Sequence, residues 1–304
     1  MVDLSVNIKT LRLLNPTILA SGLLGLDTSI LKSVARGGAG AVTMKSLTSE
    51  PRAGHPNPIL VEVENGFLNA VGYANKGIEK GVEEFKKYDL KNTPLIGNIV
   101  AGSSEEFIKL AEKIQEAPIK ALELTLSCPH TPGYGLMAGQ GTPKSTAEIT
   151  KAVRKRTKLP LIIKLSPSVE AIGEISKAAQ AEGADAINMG NALGPGMKIN
   201  IENRSPILGF KIGGLTGPAI KSIMIRSVYD IYESVKIPII ATGGITYGED
   251  ALEAIMAGAT AVGIGTGIYY RGINIFKKVC KEMEEWMILN GYTNIKQVIG
   301  AAHK

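Results

Sequence analysis

Eight short, β-rich apolar runs separated by longer amphipathic stretches constrain this chain more than any other feature. The runs are PTILAS (16–21), AVTMKS (41–46), PLIGNIV (94–100), ALELTLS (121–127), LPLIIKLS (159–166), AINMGN (186–191), PIIATGG (238–244) and AVGIGTG (261–267). Between them, SSEEFIKLAEKIQEA opens with a Ser and a Glu near capping-box spacing, and GEDALEAIMAGA stops at a glycine, as helices start and end. Strand and helix alternating eight times predict parallel pairing through right-handed crossovers, and eight is the number that closes a barrel. The expected fold is therefore α/β, a (β/α)8 TIM barrel over one domain, residues 1–304. An open doubly wound sheet is the second choice, because the glycines of ASGLLGLD do not fit the G-x-G-x-x-G spacing with which such sheets usually begin.

Two stretches interrupt the alternation, residues 47–80 and 192–217. Both are too long for ordinary βα loops, and insertions at the C-terminal face of a barrel usually build the substrate site or a lid. The +6 formal charge is spread through helical segments such as KAVRKRTK without a block of five like charges, which reads as solvated helix faces and argues against nucleic acid. The N-terminus carries Asp3 and no basic region followed by an apolar one, so it is not read as a secretory signal. No apolar run approaches the roughly 20 residues that span a bilayer, so no membrane is expected. Two cysteines are too few for a disulfide framework, and a reducing cytoplasm is the default.

One of those cysteines, Cys128, stands where the run ELTLS breaks into CPHTPGYG. A structural thiol usually lies inside the apolar run; the end of a barrel strand is where chemistry is presented. Cys280 lies in NIFKKVCKEMEEWMIL, where Ile275, Val279 and Met283 recur at helical spacing, and is read as a packing residue. Lys45 and Lys164 end two strands; each either faces a cavity and meets an anion or polar ring atom, or snorkels to the rim. The ends IIATGGIT and VGIGTGIY carry glycines where barrels bind phosphate, the alternative being glycines that merely turn the chain. Asn69, Asn75, Asn98, Asn188 and Asn191 gather near strand ends, suited either to the amide edges of a ring or to turns. His55, His130 and His303 lack metal-ligand spacing, so no metal is expected.

Taken in order, TMKS, NAVGYAN, SCPHTPGYG, IIKLSPS, GGLTGPAIKSIMIRSVYDIY, IPIIATGGI and AVGIGTG resemble the dihydroorotate dehydrogenases, specifically class 1 and most closely its 1B-like branch. The resemblance implies a single FMN-binding barrel that oxidises (S)-dihydroorotate to orotate in de novo pyrimidine (UMP) synthesis. It places the FMN phosphate on Gly243, Gly244, Gly265 and Thr266 with Gly217 nearby, and the flavin ring against Ser21, Lys45, Ser46, Asn98, Thr125, Lys164 and Ile187. It implies that Lys45, Asn69, Ala70, Val71, Gly72, Tyr73, Thr125, Asn188 and Met189 surround the substrate. By the same resemblance Cys128 is the base that takes the C5 proton while the C6 hydrogen passes as hydride to FMN N5. A free thiol is mostly protonated at neutral pH, so activity is expected to rise with pH unless the site lowers the thiol's pKa.

The class usually reads N-x-S-C-P-N around its base. Here Thr125 and His130 stand at the two asparagine positions, and Met189 follows Asn188 where a hydroxyl residue is usual. Thr125 and Met189 keep open an FMN oxidoreductase for another dihydropyrimidine or cyclic amide; a reading from a different class, a non-catalytic flavin-binding subunit, would require a complete FMN set with an inert Cys128. The 1B-like resemblance further implies a partner subunit carrying FAD and an iron–sulfur cluster, and a homodimer or heterotetramer. No dinucleotide fingerprint or cluster-ligating cysteine set occurs in this chain itself.

Overall fold

The protein is described by a computed structural model covering residues 2–303. Its centre is a closed barrel of eight parallel strands: β1 (Thr17–Leu19), β2 (Ala41–Thr43), β3 (Leu95–Ile99), β4 (Ala121–Thr125), β5 (Leu161–Leu165), β6 (Ala186–Met189), β7 (Ile239–Thr242) and β8 (Ala261–Ile264). Each strand pairs with the next in sequence and β8 returns to β1 through Val262 and Thr17, which is the expected (β/α)8 architecture. All eight fall within the apolar runs. Strands covered on both faces need apolar residues at consecutive positions, and that is what makes them legible.

Alternation decides what each strand residue does. Leu122 and Leu124 of β4, Ile163 and Leu165 of β5, and Ile187 and Met189 of β6 belong to the buried core, whereas Glu123, Thr125, Lys164 and Asn188 between them form polar contacts inside the barrel. The helices supply the outer layer. In the helix Ser104–Ile114, the Ser103 hydroxyl accepts the Glu106 N–H at the start, and Phe107, Leu110, Ala111 and Ile114 repeat at helical spacing on the buried face. Phe107 is fully buried. Phe107→Ala should cost about 3–5 kcal/mol, read as a lower denaturation midpoint in urea with an unchanged slope.

Each end of the barrel is closed differently. An N-terminal hairpin, Val6–Ile8 with Leu11–Leu13, buries Val6, Ile8, Leu11 and Leu13, and its Lys9 ammonium lies 2.9 Å from Asp185 just before β6. At the opposite, C-terminal end the two long excursions meet. Leu60–Val63, Gly66–Asn69, Gly213–Thr216 and Leu193–Gly196 form one four-stranded antiparallel sheet, so segments nearly 150 residues apart make a single structure over the mouth, Asn69 pairing with Gly214. Cys280 lies in the helix Ile275–Leu289, packed against the core with its sulfur 4.0 Å from the Thr17 hydroxyl; burial pushes its thiol up to about 12, consistent with a packing role.

Candidate active site

The barrel's inward positions build the floor of the site. Glu123 is buried on β4, and its two carboxylate oxygens accept from the side-chain amides of Asn98 on β3 and Asn188 on β6, each at 2.5 Å. The Thr125 hydroxyl donates to Asn98 Oδ1 at 3.1 Å, and the Thr242 hydroxyl donates to Asn188 Oδ1 at 2.9 Å. Lys164, on β5 between them, places Nζ 2.9 Å from the Ser21 hydroxyl. Burial lowers its pKa while Glu123 works in the opposite direction. Lys45, two residues beyond β2, has only the Gly22 carbonyl near its ammonium, at 3.4 Å. Burial, with the Lys164 charge second, lowers its pKa to about 8, while Cys128 favours its charged form.

The wall comes from the β4 loop and the first excursion. Cys128 is buried three residues past β4, and its thiol donates to the Thr131 hydroxyl at 3.1 Å. Tyr73, with its backbone in the left-handed region at φ 58°, places its phenol beside Cys128, and burial raises the phenol's pKa well above its ordinary value. Arg52 joins the two segments: Nε donates to the Gly72 carbonyl, Nη1 lies 3.3 Å from the Tyr134 hydroxyl, and the guanidinium sits 4.9 Å from the Tyr134 ring centre. His130 also faces the cavity. Burial and the neighbouring His55 hold it down to about 4, so it is neutral at physiological pH. His55 stacks on Phe210 of the second excursion at 3.7 Å.

These groups enclose a cavity of about 450 Å3, within the range of small-molecule sites. Of the residues expected from sequence, Cys128, Ser21, Lys45, Ser46, Thr125, Lys164, Gly217, Gly243, Gly244, Gly265 and Thr266 line it, as do Asn69, Val71, Gly72 and Tyr73. Asn98 and Asn188 do not; they are engaged beneath the floor by Glu123. Ile187 and Met189 flank Asn188 on β6 and pack outward into the core, and Ala70 is buried behind the wall with its N–H on the Ile59 carbonyl. The family resemblance implies Asn188 and Met189 beside the substrate; β6 ends at Met189, and the asparagine that lines the cavity is Asn191. Its side chain donates to the Ser127 hydroxyl at 2.8 Å. Glu123, Thr131 and Thr242 are not among the residues singled out from the sequence: Thr131 and Thr242 lie inside SCPHTPGYG and IPIIATGGI, and an acid two residues before Thr125, and so on the same strand face, is the available sign of Glu123. Asn75 is structural, tied to Thr48, the Tyr73 carbonyl and the Gly77 N–H.

Three buried polar atoms around the cavity have no hydrogen-bond partner: Tyr73 Oη, His130 Nδ1 and His55 Nδ1. Such atoms cost stability unless something meets them. Tyr73→Phe should therefore leave the unliganded protein as stable or up to about 1 kcal/mol more stable, while weakening ligand binding several-fold. Parallel thermal melts with and without ligand distinguish the two effects; a large loss of stability without ligand would contradict the assignment.

Residues 3–287 match the family model described as dihydroorotate dehydrogenase. The chain is 45% identical to the catalytic subunit of dihydroorotate dehydrogenase B (NAD(+)) from Methanocaldococcus jannaschii, covering 99% of this chain and 98% of that one. It is 42% identical to the subunit of the same name from Pyrococcus abyssi, with 99% of each covered. Among solved structures, a dihydroorotate dehydrogenase from Eimeria tenella in complex with ferulenol superposes with a TM-score of 0.87 at 23% identity, over 99% of this chain and 89% of that chain, a likeness of fold.

Proposed function

The chain belongs to the dihydroorotate dehydrogenase family, and from that membership we propose that it oxidises dihydroorotate to orotate on a single FMN-binding barrel with Cys128 as the base. The oxidation belongs to pyrimidine biosynthesis. The observation that carries the reading is that Cys128, Lys45, Lys164 and the glycine ends of β7 and β8 all open onto one cavity at the barrel's C-terminal face.

The residues fit FMN. Gly217, Gly243 and Gly244 have positive φ, and a Cβ added at Gly265 would meet only Ala20 at 3.8 Å, which leaves backbone N–H groups free to approach a phosphate. Gly217, Gly243, Gly244, Gly265 and Thr266 would hold that phosphate; Ser21, Lys45, Ser46, Thr125 and Lys164 would border the ring. When bound, FMN supplies the acceptor for the hydride from C6. Lys45 would meet the substrate carboxylate, with Asn69, Val71, Gly72, Tyr73, Thr125 and Asn191 around the ring. Cys128 removes the C5 proton as a thiolate, and Thr131, which accepts from the thiol, can turn and donate to the thiolate. Asn98 and Asn188 act from beneath, and Ile187, Met189 and Ala70 shape the strand and wall behind.

The relatives' names speak of NAD(+) and of a catalytic subunit. We extend this to a partner subunit carrying FAD and an iron–sulfur cluster, in an assembly built on a homodimer or a heterotetramer in the cytoplasm. Among the described residues no helix is long and apolar enough to cross a membrane, and no group of three or more His, Cys, Asp and Glu is placed to hold a metal ion. The test is anaerobic addition of dihydroorotate to the FMN-loaded chain. Rapid loss of the oxidised flavin band supports the reading. A bound flavin that stays oxidised would instead point to another dihydropyrimidine or cyclic amide, with Thr125 and His130 as the changed contacts.

A further inference from the structure

Glu123 is the sole buried glutamate among the described residues, and nothing in the reaction as proposed above uses it. Its two carboxyl oxygens each accept from an asparagine, so both Asn98 and Asn188 turn their NH2 groups inward. Their carbonyl oxygens then face the two threonines. Both hydroxyls spend their single proton on those oxygens, Thr125 on Asn98 and Thr242 on Asn188. Thr125 and Thr242 both line the cavity, so each presents lone pairs to it and no donor. The Thr242 arm has its own accommodation: a Cβ at Gly263 would collide with the Thr242 hydroxyl oxygen.

We propose that Glu123 is a positioning residue that sets the hydrogen-bonding sense of the cavity floor, making Thr125 and Thr242 acceptors that select ring N–H donors of a cyclic imide. The inference rests on the substrate reading above, and it adds a rule for which ligand edges the floor takes. Thr125 lies three residues before Cys128, on the substrate side; Thr242 adjoins Gly243 and Gly244, on the cofactor side. A glutamine in place of Glu123 has one acceptor and one NH2 donor. One asparagine must then reverse, and one threonine must turn its proton into the cavity.

The test is calorimetric binding of orotate, and of its isosteres with one ring N–H replaced by oxygen, to the FMN-loaded protein. Glu123→Gln should weaken orotate about tenfold and narrow the preference for orotate over an isostere by a similar factor. In the background of Thr125→Val or Thr242→Val, whichever hydroxyl it reverses, Glu123→Gln should have little further effect. Wild-type affinity in Glu123→Gln, multiplying effects in both backgrounds, or a parallel loss for orotate and isosteres would overturn the inference. If Glu123→Gln does not retain FMN, the wild type decides: it should prefer orotate by about tenfold over at least one isostere, and equal affinities overturn the inference. No orotate binding by the wild type overturns the substrate reading and this inference with it, whereas tight binding with any of the outcomes above overturns this inference alone.

Discussion

Cys128→Ala should leave FMN bound and slow anaerobic bleaching of the flavin by dihydroorotate by about 10²–10⁴-fold, the usual worth of a positioned base. The reason the defect should be confined to chemistry is structural. The thiol donates to Thr131 and has the Tyr73 phenol beside it, so removing it leaves Lys45, Lys164 and the belt around Glu123 in place. Orotate affinity should therefore change far less than the reduction rate. Cys128→Ser keeps a proton-accepting atom that is harder to ionise, so its residual rate should lie well below that of the wild type and at or above that of Cys128→Ala. Stopped-flow absorbance at the oxidised flavin band reads all three proteins. A Cys128→Ala protein reduced at the wild-type rate would remove Cys128 from the base's role and transfer attention to Tyr73 beside it.

How much of this site is legible in the amino-acid sequence follows from where its residues lie. Cys128, Lys45 and Lys164 are legible because each is polar or reactive at the end of an apolar run. The glycine ends of β7 and β8 are legible because two in succession exceed what turning needs. Three of the expected residues that do not line the cavity, Ile187, Asn188 and Met189, lie on β6. The family resemblance implies Asn188 and Met189 beside the substrate; along a strand one step reverses the face, and two steps move a side chain by nearly a whole layer. Met189 consequently packs outward, and Asn188 serves Glu123 from below. The N-terminal hairpin and the sheet made by the two excursions are not legible at all. Each is too short or too polar to announce a strand, and the pairing of Asn69 with Gly214 depends on a barrel already folded between them.

Orotate binding should be independent of pH below about 8 and weaken tenfold per pH unit above it, and Lys45→Met should abolish that break while lowering affinity at neutral pH by about 10- to 100-fold. Lys45 is buried, with no carboxylate beside it and a second cation, Lys164, in the same cavity. Both effects disfavour its charged form, which is why its pKa falls to about 8. The sign follows directly. Below that pH the ammonium is present and an anionic carboxylate supplies the missing counter-charge. Above it the free protein has lost the proton, and binding must take one up, so affinity declines with rising pH. Methionine retains much of the stem's bulk but neither charge nor donor, which separates electrostatics from packing. Calorimetry in two buffers of different ionisation enthalpy measures the linked proton directly: uptake should approach one proton per orotate well above pH 8 and vanish in Lys45→Met. An affinity that stays flat through that range in the wild type would place the carboxylate elsewhere in the cavity, with Lys164 as the remaining cation to receive it.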